Sequence, residues 1–221
     1  MTKSAQSLES LILARTQAGA DTASIDKRIW DLFGENWCIV FTDMCGFSRR
    51  SAQAGIVPFL VLIHQMKQIC TPVWERHSGF VLKTIADSQL ILFREPRKAM
   101  AACIDAQRAL HSHNLDVKEP DRIYLGCGIG YGDVLKLGDD EVFGIEVNFA
   151  AKLGEDIAGT YDVLATPGAA KKIGRMKGIS FHEVKGGRLG GTKKPYFSVS
   201  YDVNEESDLR KKAKHARVRF K

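Results

Sequence analysis

The chain has 221 residues, of which 44% are hydrophobic and 26% are charged. This composition is ordinary for a globular protein with one substantial core, and it excludes disordered and collagen-like classes. The formal net charge of +6 arises in the segment 208–221, where seven Lys and Arg residues face one acid. We interpret residues 204–221 as a solvated basic tail, so a nucleic acid is an unlikely partner.

Cysteine spacing and hydropathy bear on the compartment of the protein. The five cysteines lack CxxC or histidine-pair spacing, which favours reduced, partly buried thiols over a disulfide framework or a zinc site. No stretch approaches the roughly 20 consecutive apolar residues that span a bilayer. We therefore expect no transmembrane segment and a cytoplasmic location.

The first predicted elements are a peripheral N-terminal extension and a buried strand. Residues 1–25 have apolar residues near helical spacing, and the domain proper is predicted over residues 26–203. Its first strand, "WCIVFTDM", is rich in β-branched and aromatic residues and ends on one carboxylate, Asp43. A charge at the end of a buried strand is costly unless a cation meets it. The function of Asp43 is therefore the central question.

A helix and a hairpin follow this strand. Apolar residues recur at helical spacing from Phe59 to Trp74, and Pro72 is expected to kink or distort the end of that helix. Two short strands, Phe80–Ile85 and Gln89–Phe93, are then joined tightly, which predicts a β-hairpin with Asp87 in its turn.

The second half of the domain repeats helix and strand patterns. A helix is predicted over residues 96–114, and "IYLGCGIGYGDVLKLG" is predicted as a strand and hairpin whose middle the glycines loosen. The segment "EVNFAAKLGEDIAG" is predicted as one helix that ends on a glycine. The last strands are expected in "DVLATPGA" and "ISFHEVKGGRLGGTKKPYFSVSYD". This order predicts an α+β fold, with a ferredoxin-like βαββαβ core and an appended αβ unit.

Asp43 and Asp87 are predicted to meet at one edge of the sheet. Their strands are neighbours in a β-α-β-β unit, and two adjacent carboxylates repel unless they share a proton or a divalent cation. The residues 45–48 turn the chain toward the next helix and present backbone N–H groups, as phosphate-binding loops do. The pattern indicates a nucleoside triphosphate with its cation, although either acid alone is better interpreted as a turn or cap residue.

Four segments carry a resemblance to a known family. They are "FTDMCGFS", "KTIADSQLILF", "GIGYGDVLKLG" and "VFGIEVNFAAKL". In this order and spacing they resemble the catalytic domain of the class III nucleotidyl cyclases, the adenylyl and guanylyl cyclases. The resemblance covers roughly residues 36–203, and the predicted order of helices and strands agrees with it.

The resemblance implies a metal-dependent enzyme that converts ATP into 3′,5′-cyclic AMP and pyrophosphate. Asp43, Asp87 and the carbonyl of Met44 match the ligands of two divalent cations, Mg²⁺ or Mn²⁺. The other matching positions concern the substrate: Phe47 and Ser48 in the turn over the phosphates, Lys83 and Glu141 at the base, Asn148 at the ribose, Lys152 where the family has a transition-state arginine, and Lys185 or Arg188 where it has a phosphate-binding lysine.

The resemblance also implies a homodimer with its active sites at the interface. The metal-binding acids of one subunit would be completed by the base, ribose and transition-state residues of the other. Lys83 and Asp87 share a hairpin, yet they would serve different sites, so one chain alone is expected to be inactive.

The sequence departs from the family pattern at three places. Lys152 keeps the charge of an arginine but loses its bidentate fork. Ala86 replaces the glycine before the second aspartate and would resist a positive φ in the turn. Additional glycines blur the register of Lys185 and Arg188.

Several functions stay open at this point. A lysine donor and a carboxylate acceptor complement the N1 and amino groups of adenine, which favours ATP over GTP, although cytosine presents a similar pair. A different class is also consistent with Lys152 and Ala86: a degenerate module with the cyclase fold that binds a nucleotide or a partner cyclase chain without turnover. The sequence does not indicate what activates the protein.

Overall fold

A mixed sheet forms the centre of the protein. The structure, a computed structural model, describes residues 3–46, 55–186, 189 and 194–204. In chain order its elements are α1 (Lys3–Arg15), α2 (Thr22–Phe33), β1 (Gly34–Met44), α3 (Ile56–Arg76), β2 (Phe80–Ile85), β3 (Ser88–Phe93), α4 (Pro96–Asn114), β4 (Leu125–Leu137), β5 (Glu141–Phe143), α5 (Ile145–Ala151), a π-helix (Lys152–Ile157), β6 (Val163–Ala165), α6 (Pro167–Ile173), β7 (Ser180–Val184) and β8 (Tyr196–Ser200).

The strand order is β2-β3-β1-β4-β6-β8-β7, and β5 pairs with β4. Strand β1 is antiparallel to both β3 and β4, whereas β4 and β6 are parallel. The arrangement of β1, α3, β2, β3, α4 and β4 is that of the ferredoxin-like core. The predicted fold class is therefore confirmed, including the predicted pairing of β1 with β3.

Strand β1 is buried on both faces of the sheet. Cys38 and Val40 belong to the core cluster that contains α3 and α4, whereas Ile39 and Phe41 belong to the cluster on the opposite face with residues of α5. Because successive side chains of a strand alternate between faces, the side chain of Asp43 shares the face of Phe41. This face is the one that α5 covers.

The helix α3 runs without interruption through Pro72 to Arg76. The helix therefore does not end at Pro72, and the buried residues Val73 and Trp74 of its last turn pack in the core. By length and composition alone, α3 could cross a membrane, with a mean hydropathy of 1.3 over its most apolar window. This property is contrary to the expectation of no transmembrane segment, but in the fold one face of α3 packs on the sheet.

The predicted single helix near Asn148 is two elements in the structure. The α-helix ends at Ala151, a π-helix continues to Ile157, and the backbone is already extended at Ala158, before the glycine. A Cβ atom on Gly154 would collide with the carbonyl oxygen of Phe41. The glycine therefore lets the π-helix lie directly on the sheet.

The glycines of β4, like Gly154, lie where two backbone segments pack too closely to leave room for a side chain. A Cβ atom on Gly128 would collide with the Ala150 carbonyl oxygen and lie 2.5 Å from the Gly154 backbone nitrogen. The expectation that these glycines loosen the strand is thus wrong, since β4 is continuous over 13 residues. They allow the helical backbone to approach the sheet closely.

The N-terminal helix α2 spans the predicted domain boundary at residue 26. Its buried residues Ile29 and Phe33 pack with Leu137 of β4 in a small apolar cluster. This contact fixes α2 beside the end of β4, and the division into extension, domain and tail stays a prediction.

Candidate active site

Asp43 and Asp87 lie at the same end of the paired strands β1 and β3. The register pairs Thr42 with Gln89, which places Asp43 next to Ser88 across the two strands. The Ser88 hydroxyl donates a hydrogen bond of 2.7 Å to Oδ1 of Asp43. Asp87 is only 6% exposed, and its Oδ2 atom is buried without a hydrogen-bond partner in the described part of the chain. The two carboxylates form one polar cluster at the edge of the core.

The electrostatics of this cluster disfavour two bare charges. Burial, and after it the charge of Asp43, raise the pKa of Asp87 to about 6 against the opposing effect of backbone N–H groups. Burial also raises the pKa of Asp43, while the Ser88 hydroxyl and the Met44 N–H group lower it. A cation at this place would stabilise both carboxylates in their charged form.

The residues present fit a hydrated divalent cation. Among the described residues, no three His, Cys, Asp or Glu side chains are arranged to hold a metal ion. Mg²⁺ commonly binds through one or two carboxylates, with water and substrate phosphates completing its shell. The unpartnered Oδ2 of Asp87 beside Asp43 suits this mode of binding, and Met44 lies next to Asp43 with its carbonyl as a further candidate ligand.

The turn that carries Asp87 requires a positive φ. The pairing of Ile85 with Ser88 leaves Ala86 and Asp87 as a two-residue connection, and Ala86 has a φ of 52°. A positive φ at the first residue alone is the pattern of a type II′ turn, where glycine is favoured. Ala86 stands where the related family has glycine. It adopts the positive φ that an alanine resists, and the hairpin still forms.

Sequence reasoning missed a third carboxylate, that of Glu155 on the π-helix. Burial raises the pKa of Glu155, the Ser88 hydroxyl lowers it by hydrogen bonding, and the charges of Asp43 and Asp156 raise it. Glu155 itself is exposed, and the hydrogen bond of the Ser88 hydroxyl is made to Asp43. Nothing in the sequence indicates the π-helix on which Glu155 lies, so this third acid could not be found from the sequence.

A second group of predicted residues meets away from the carboxylates. Lys83 of β2 and Glu141 of β5 form an ion pair with 3.5 Å between Nζ and Oε1, and about half of each side chain is exposed. In a flat sheet, β3, β1 and β4 would separate these strands. The pair therefore joins β2 to the hairpin of β4 and β5, whose outer part extends beyond the segment of β4 that pairs with β1.

The remaining predicted residues are not in contact with the aspartates. Asn148 is exposed on α5, and the exposed Lys152 pairs with Asp156 at 2.6 Å. In the described contacts of one chain, neither reaches Asp43 or Asp87. Lys185 is exposed just after β7. The predictions for Phe47, Ser48 and Arg188 lie outside the described residues.

Comparison with protein-family models gives no match. A curated relative, the serine/threonine-protein kinase pkn2 of Myxococcus xanthus, is 25% identical over 105 residues. The match covers 48% of this chain but only 13% of the kinase chain, so the activity in its name is not transferred.

Solved structures give a broader match. An adenylate/guanylate cyclase/hydrolase from Silicibacter pomeroyi has a TM-score of 0.66 at 20% identity, covering 76% of this chain and 96% of its own. A bacterial light-regulated adenylyl cyclase has a TM-score of 0.64 at 21% identity, over 77% and 91% of the two chains.

A guanylate cyclase domain from Catenaria anguillulae, solved in complex with GTP, has the same TM-score of 0.64 at 16% identity, over 76% and 97%. Adenylyl and guanylyl cyclases therefore match this chain equally well, and the likeness does not distinguish between ATP and GTP. It establishes the architecture: this protein has the fold of the class III adenylyl and guanylyl cyclase catalytic domains.

Proposed function

We propose that this protein is a cation-dependent adenylyl cyclase that converts ATP into 3′,5′-cyclic AMP and pyrophosphate as a homodimer. The observation that carries the proposal is the buried, unpartnered Oδ2 atom of Asp87 beside Asp43, in a cyclase fold. A buried polar atom without a partner is costly, and natural proteins retain it where a ligand completes it. Mg²⁺ or Mn²⁺ is the ligand that two carboxylates select.

Each residue has a distinct part in this reaction. Asp43, Asp87 and the Met44 carbonyl would hold two divalent cations, which would lower the pKa of the ribose 3′-hydroxyl and neutralise the triphosphate. Asn148 orients the ribose, and Lys152 balances charge on the α-phosphate as pyrophosphate leaves. Phe47 and Ser48 cover the phosphates, and Lys185 or Arg188 binds them. Of these four, Lys185 alone lies among the described residues.

The choice of ATP rests on the pair of Lys83 and Glu141. An ammonium donor 3.5 Å from a carboxylate acceptor presents one donor and one acceptor side by side. Adenine offers the complementary pair through N1 and its amino group, whereas guanine offers a donor and a carbonyl in the reverse sense. Cytosine resembles adenine in this respect, so CTP is the main competing substrate.

The homodimer is proposed because one chain separates the required groups. Asn148 and Lys152 make no described contact with Asp43 or Asp87 of their own chain, so a second chain would supply them to each site. The proposal includes a cytoplasmic location, where the five free cysteines would stay reduced.

A direct assay tests the proposed reaction. The full-length protein, at high concentration and with Mn²⁺, is incubated separately with ATP, GTP, CTP and UTP, and the products are resolved by chromatography. We expect cyclic AMP as the main product. Absence of every cyclic nucleotide would rule out the enzyme and leave the second candidate below.

A complementation assay tests the shared site. The Asp43→Ala and Asn148→Ala variants are each expected to be inactive, and their mixture is expected to recover one functional site per heterodimer. Failure of the mixed variants to recover activity, while both remain folded and dimeric, would contradict the shared-site arrangement.

One observation favours a second candidate, a nucleotide-binding module without turnover. Lys152 is held by Asp156 at 2.6 Å, and lysine lacks the fork that lets arginine bind two phosphate oxygens. If this pairing persists in the dimer, the protein would bind a nucleoside triphosphate without cyclising it. Binding of ATP without product in the assay above would identify this case.

A further inference from the structure

A groove lies between helix α6 and the strands β7 and β8. Its volume is about 570 Å³, and small-molecule sites commonly have volumes of about 300–1,000 Å³. In the strand order, β7 is at the opposite edge of the sheet from the hairpin of β2 and β3. None of the residues that line the groove belongs to the carboxylate cluster. The groove is therefore separate from the site proposed above.

Most of the groove lining is apolar. Phe181 of β7 and Phe197 of β8 make an edge-to-face contact with 6.3 Å between their ring centres, and both side chains are only partly buried. Pro167, Ala170 and Ile179 contribute further apolar surface to the lining. Because removing such surface from water is favourable, the groove suits a ligand with an apolar body.

The groove also carries positive charge. Among the described residues that line it, Lys171 and Arg175 alone are charged, and both are exposed. In the described part of the chain, neither cation forms an ion pair. The surrounding segment 163–182 contains four Lys and Arg residues and no acid. The charge of the groove is therefore complementary to an anion.

The C-terminal end of α6 does not cancel this charge. The last carbonyl groups of a helix carry partial negative charge. Here the Arg97 guanidinium of α4 donates hydrogen bonds of 2.9 and 2.8 Å to the carbonyl oxygens of Ile173 and Arg175. These bonds satisfy the two carbonyl groups and fix the wall of the groove that carries Lys171 and Arg175.

We propose that this groove binds a small organic anion with an apolar body, of the class of medium-chain carboxylates. The apolar body lies against the rings of Phe181 and Phe197, and the carboxylate is bound by Lys171 and Arg175. Hydrogen bonds between a cationic side chain and a carboxylate are stronger than those between neutral groups. The inference goes beyond the proposed cyclase and does not depend on it, because the groove contains no residue of the proposed reaction.

Calorimetric titration of the full-length protein with decanoate tests the site. Acetate, which lacks the apolar body, and decyltrimethylammonium, which reverses the charge, are titrated in parallel, below the concentrations at which micelles form. We expect saturable binding of decanoate at one site, at least about tenfold tighter than binding of either comparison compound. In amide NMR spectra, the largest shifts should occur at groove residues such as Ala170, Gly174 and Ser180.

Variants of the groove separate the two parts of the ligand. The double variant Lys171→Ala and Arg175→Ala should weaken decanoate binding about tenfold, since both contacts with the carboxylate are lost. Ala170→Trp fills the groove and should abolish binding. The matched control Lys177→Ala removes an exposed cation of the same segment outside the lining, and should change the affinity by less than about twofold, because salt screens distant charges.

Several outcomes would overturn the proposal. They are absence of saturable decanoate binding, equal affinity for decyltrimethylammonium, unchanged binding in the double variant, and NMR shifts confined to another part of the chain. Circular dichroism verifies the fold of each variant, and the double variant changes only exposed side chains. The titrations contain neither metal nor nucleotide, so their failure would leave the proposed cyclase intact, and absence of a cyclic nucleotide would leave this inference intact.

Discussion

The carboxylate cluster and the pair of Lys83 and Glu141 are built in opposite ways. Asp87 is buried, lies beside the like charge of Asp43, and has an oxygen without a partner. Lys83 and Glu141 are half exposed and neutralise each other. Among the described residues, the first region keeps a carboxylate oxygen without a partner, whereas the second is electrostatically complete.

This difference separates chemistry from recognition. An exposed ion pair contributes at most about 1 kcal/mol to stability, so in the proposed enzyme Lys83 and Glu141 could separate at little cost to bind the edge of a base. A buried carboxylate cluster lowers stability, and in the proposed enzyme the cations that it binds offset that cost. The expected effects below follow from this contrast.

The largest expected effect comes from removing one charge of the cluster. Asp87→Asn should lower cyclase activity about a thousandfold, the scale seen when a main electrostatic group of an active site is lost. The protein should remain folded, because the substitution removes repulsion from Asp43. The rate of cyclic AMP formation with Mn²⁺ is the measurement, and Asp31→Asn on the exposed face of α2 is the control. Unchanged activity in Asp87→Asn would place the chemistry elsewhere.

Reversing the charged pair should change which base is preferred rather than abolish turnover. In the double variant Lys83→Glu and Glu141→Lys, the donor and acceptor exchange positions. We expect the ratio of kcat/KM for ATP to that for GTP to fall by about 10–100-fold, the scale of one good pair of contacts to a base edge. An equal loss for both nucleotides would show that the pair has a structural role only.

The lysine in the position of the family's arginine should limit the rate. Lys152→Arg restores the bidentate fork, and we expect kcat to rise about tenfold while KM changes little, since the added contact forms mainly in the transition state. Steady-state kinetics at saturating Mn²⁺ provide both constants. A decrease in kcat would indicate that Asp156 holds the side chain of residue 152 away from the substrate, whether that residue is lysine or arginine.

The raised pKa of Asp87 should also make the free energy of unfolding of the metal-free protein depend on pH. The pKa of Asp87 is raised from 3.8 to about 6 in the folded protein, so the folded state binds more protons than the unfolded chain between these values. The free energy of unfolding in EDTA should therefore fall by about 2 kcal/mol as pH rises from about 4 to 6. Asp87→Asn should lose this contribution, and identical urea-denaturation curves for both proteins across this range would contradict it.

The smallest expected effect concerns the turn between the two regions. Ala86 has a φ of 52°, a conformation that costs an L-residue about 1–2 kcal/mol. Ala86→Gly should raise the free energy of unfolding by about 0.5–1 kcal/mol after the greater flexibility of glycine in the unfolded chain is deducted. Thermal unfolding measures the change, and a lower melting temperature would mean that the methyl group of Ala86 makes a stabilising contact.

A helix and a hairpin that the sequence predicts, and a π-helix that it does not, show which parts of the fold are encoded locally. The helix 96–114 and the hairpin around Asp87 were predicted within one residue, because apolar periodicity and a tight two-residue turn are local signals. The π-helix could not be predicted, since Lys152–Ile157 continues an ordinary helical pattern. Its geometry depends on Gly154 meeting the backbone of Phe41, a contact between residues more than a hundred positions apart.

The sequence by itself determined the α+β core and the acid that ends its central strand, because both follow from local patterns of apolar and charged residues. Only the tertiary structure decided which groups meet. The fold joined Lys83 of β2 to Glu141 of β5, and the absence of a side chain at Gly154 let the π-helix lie against the Phe41 backbone of β1. Such contacts depend on backbone packing across the sheet, which no local stretch of sequence encodes.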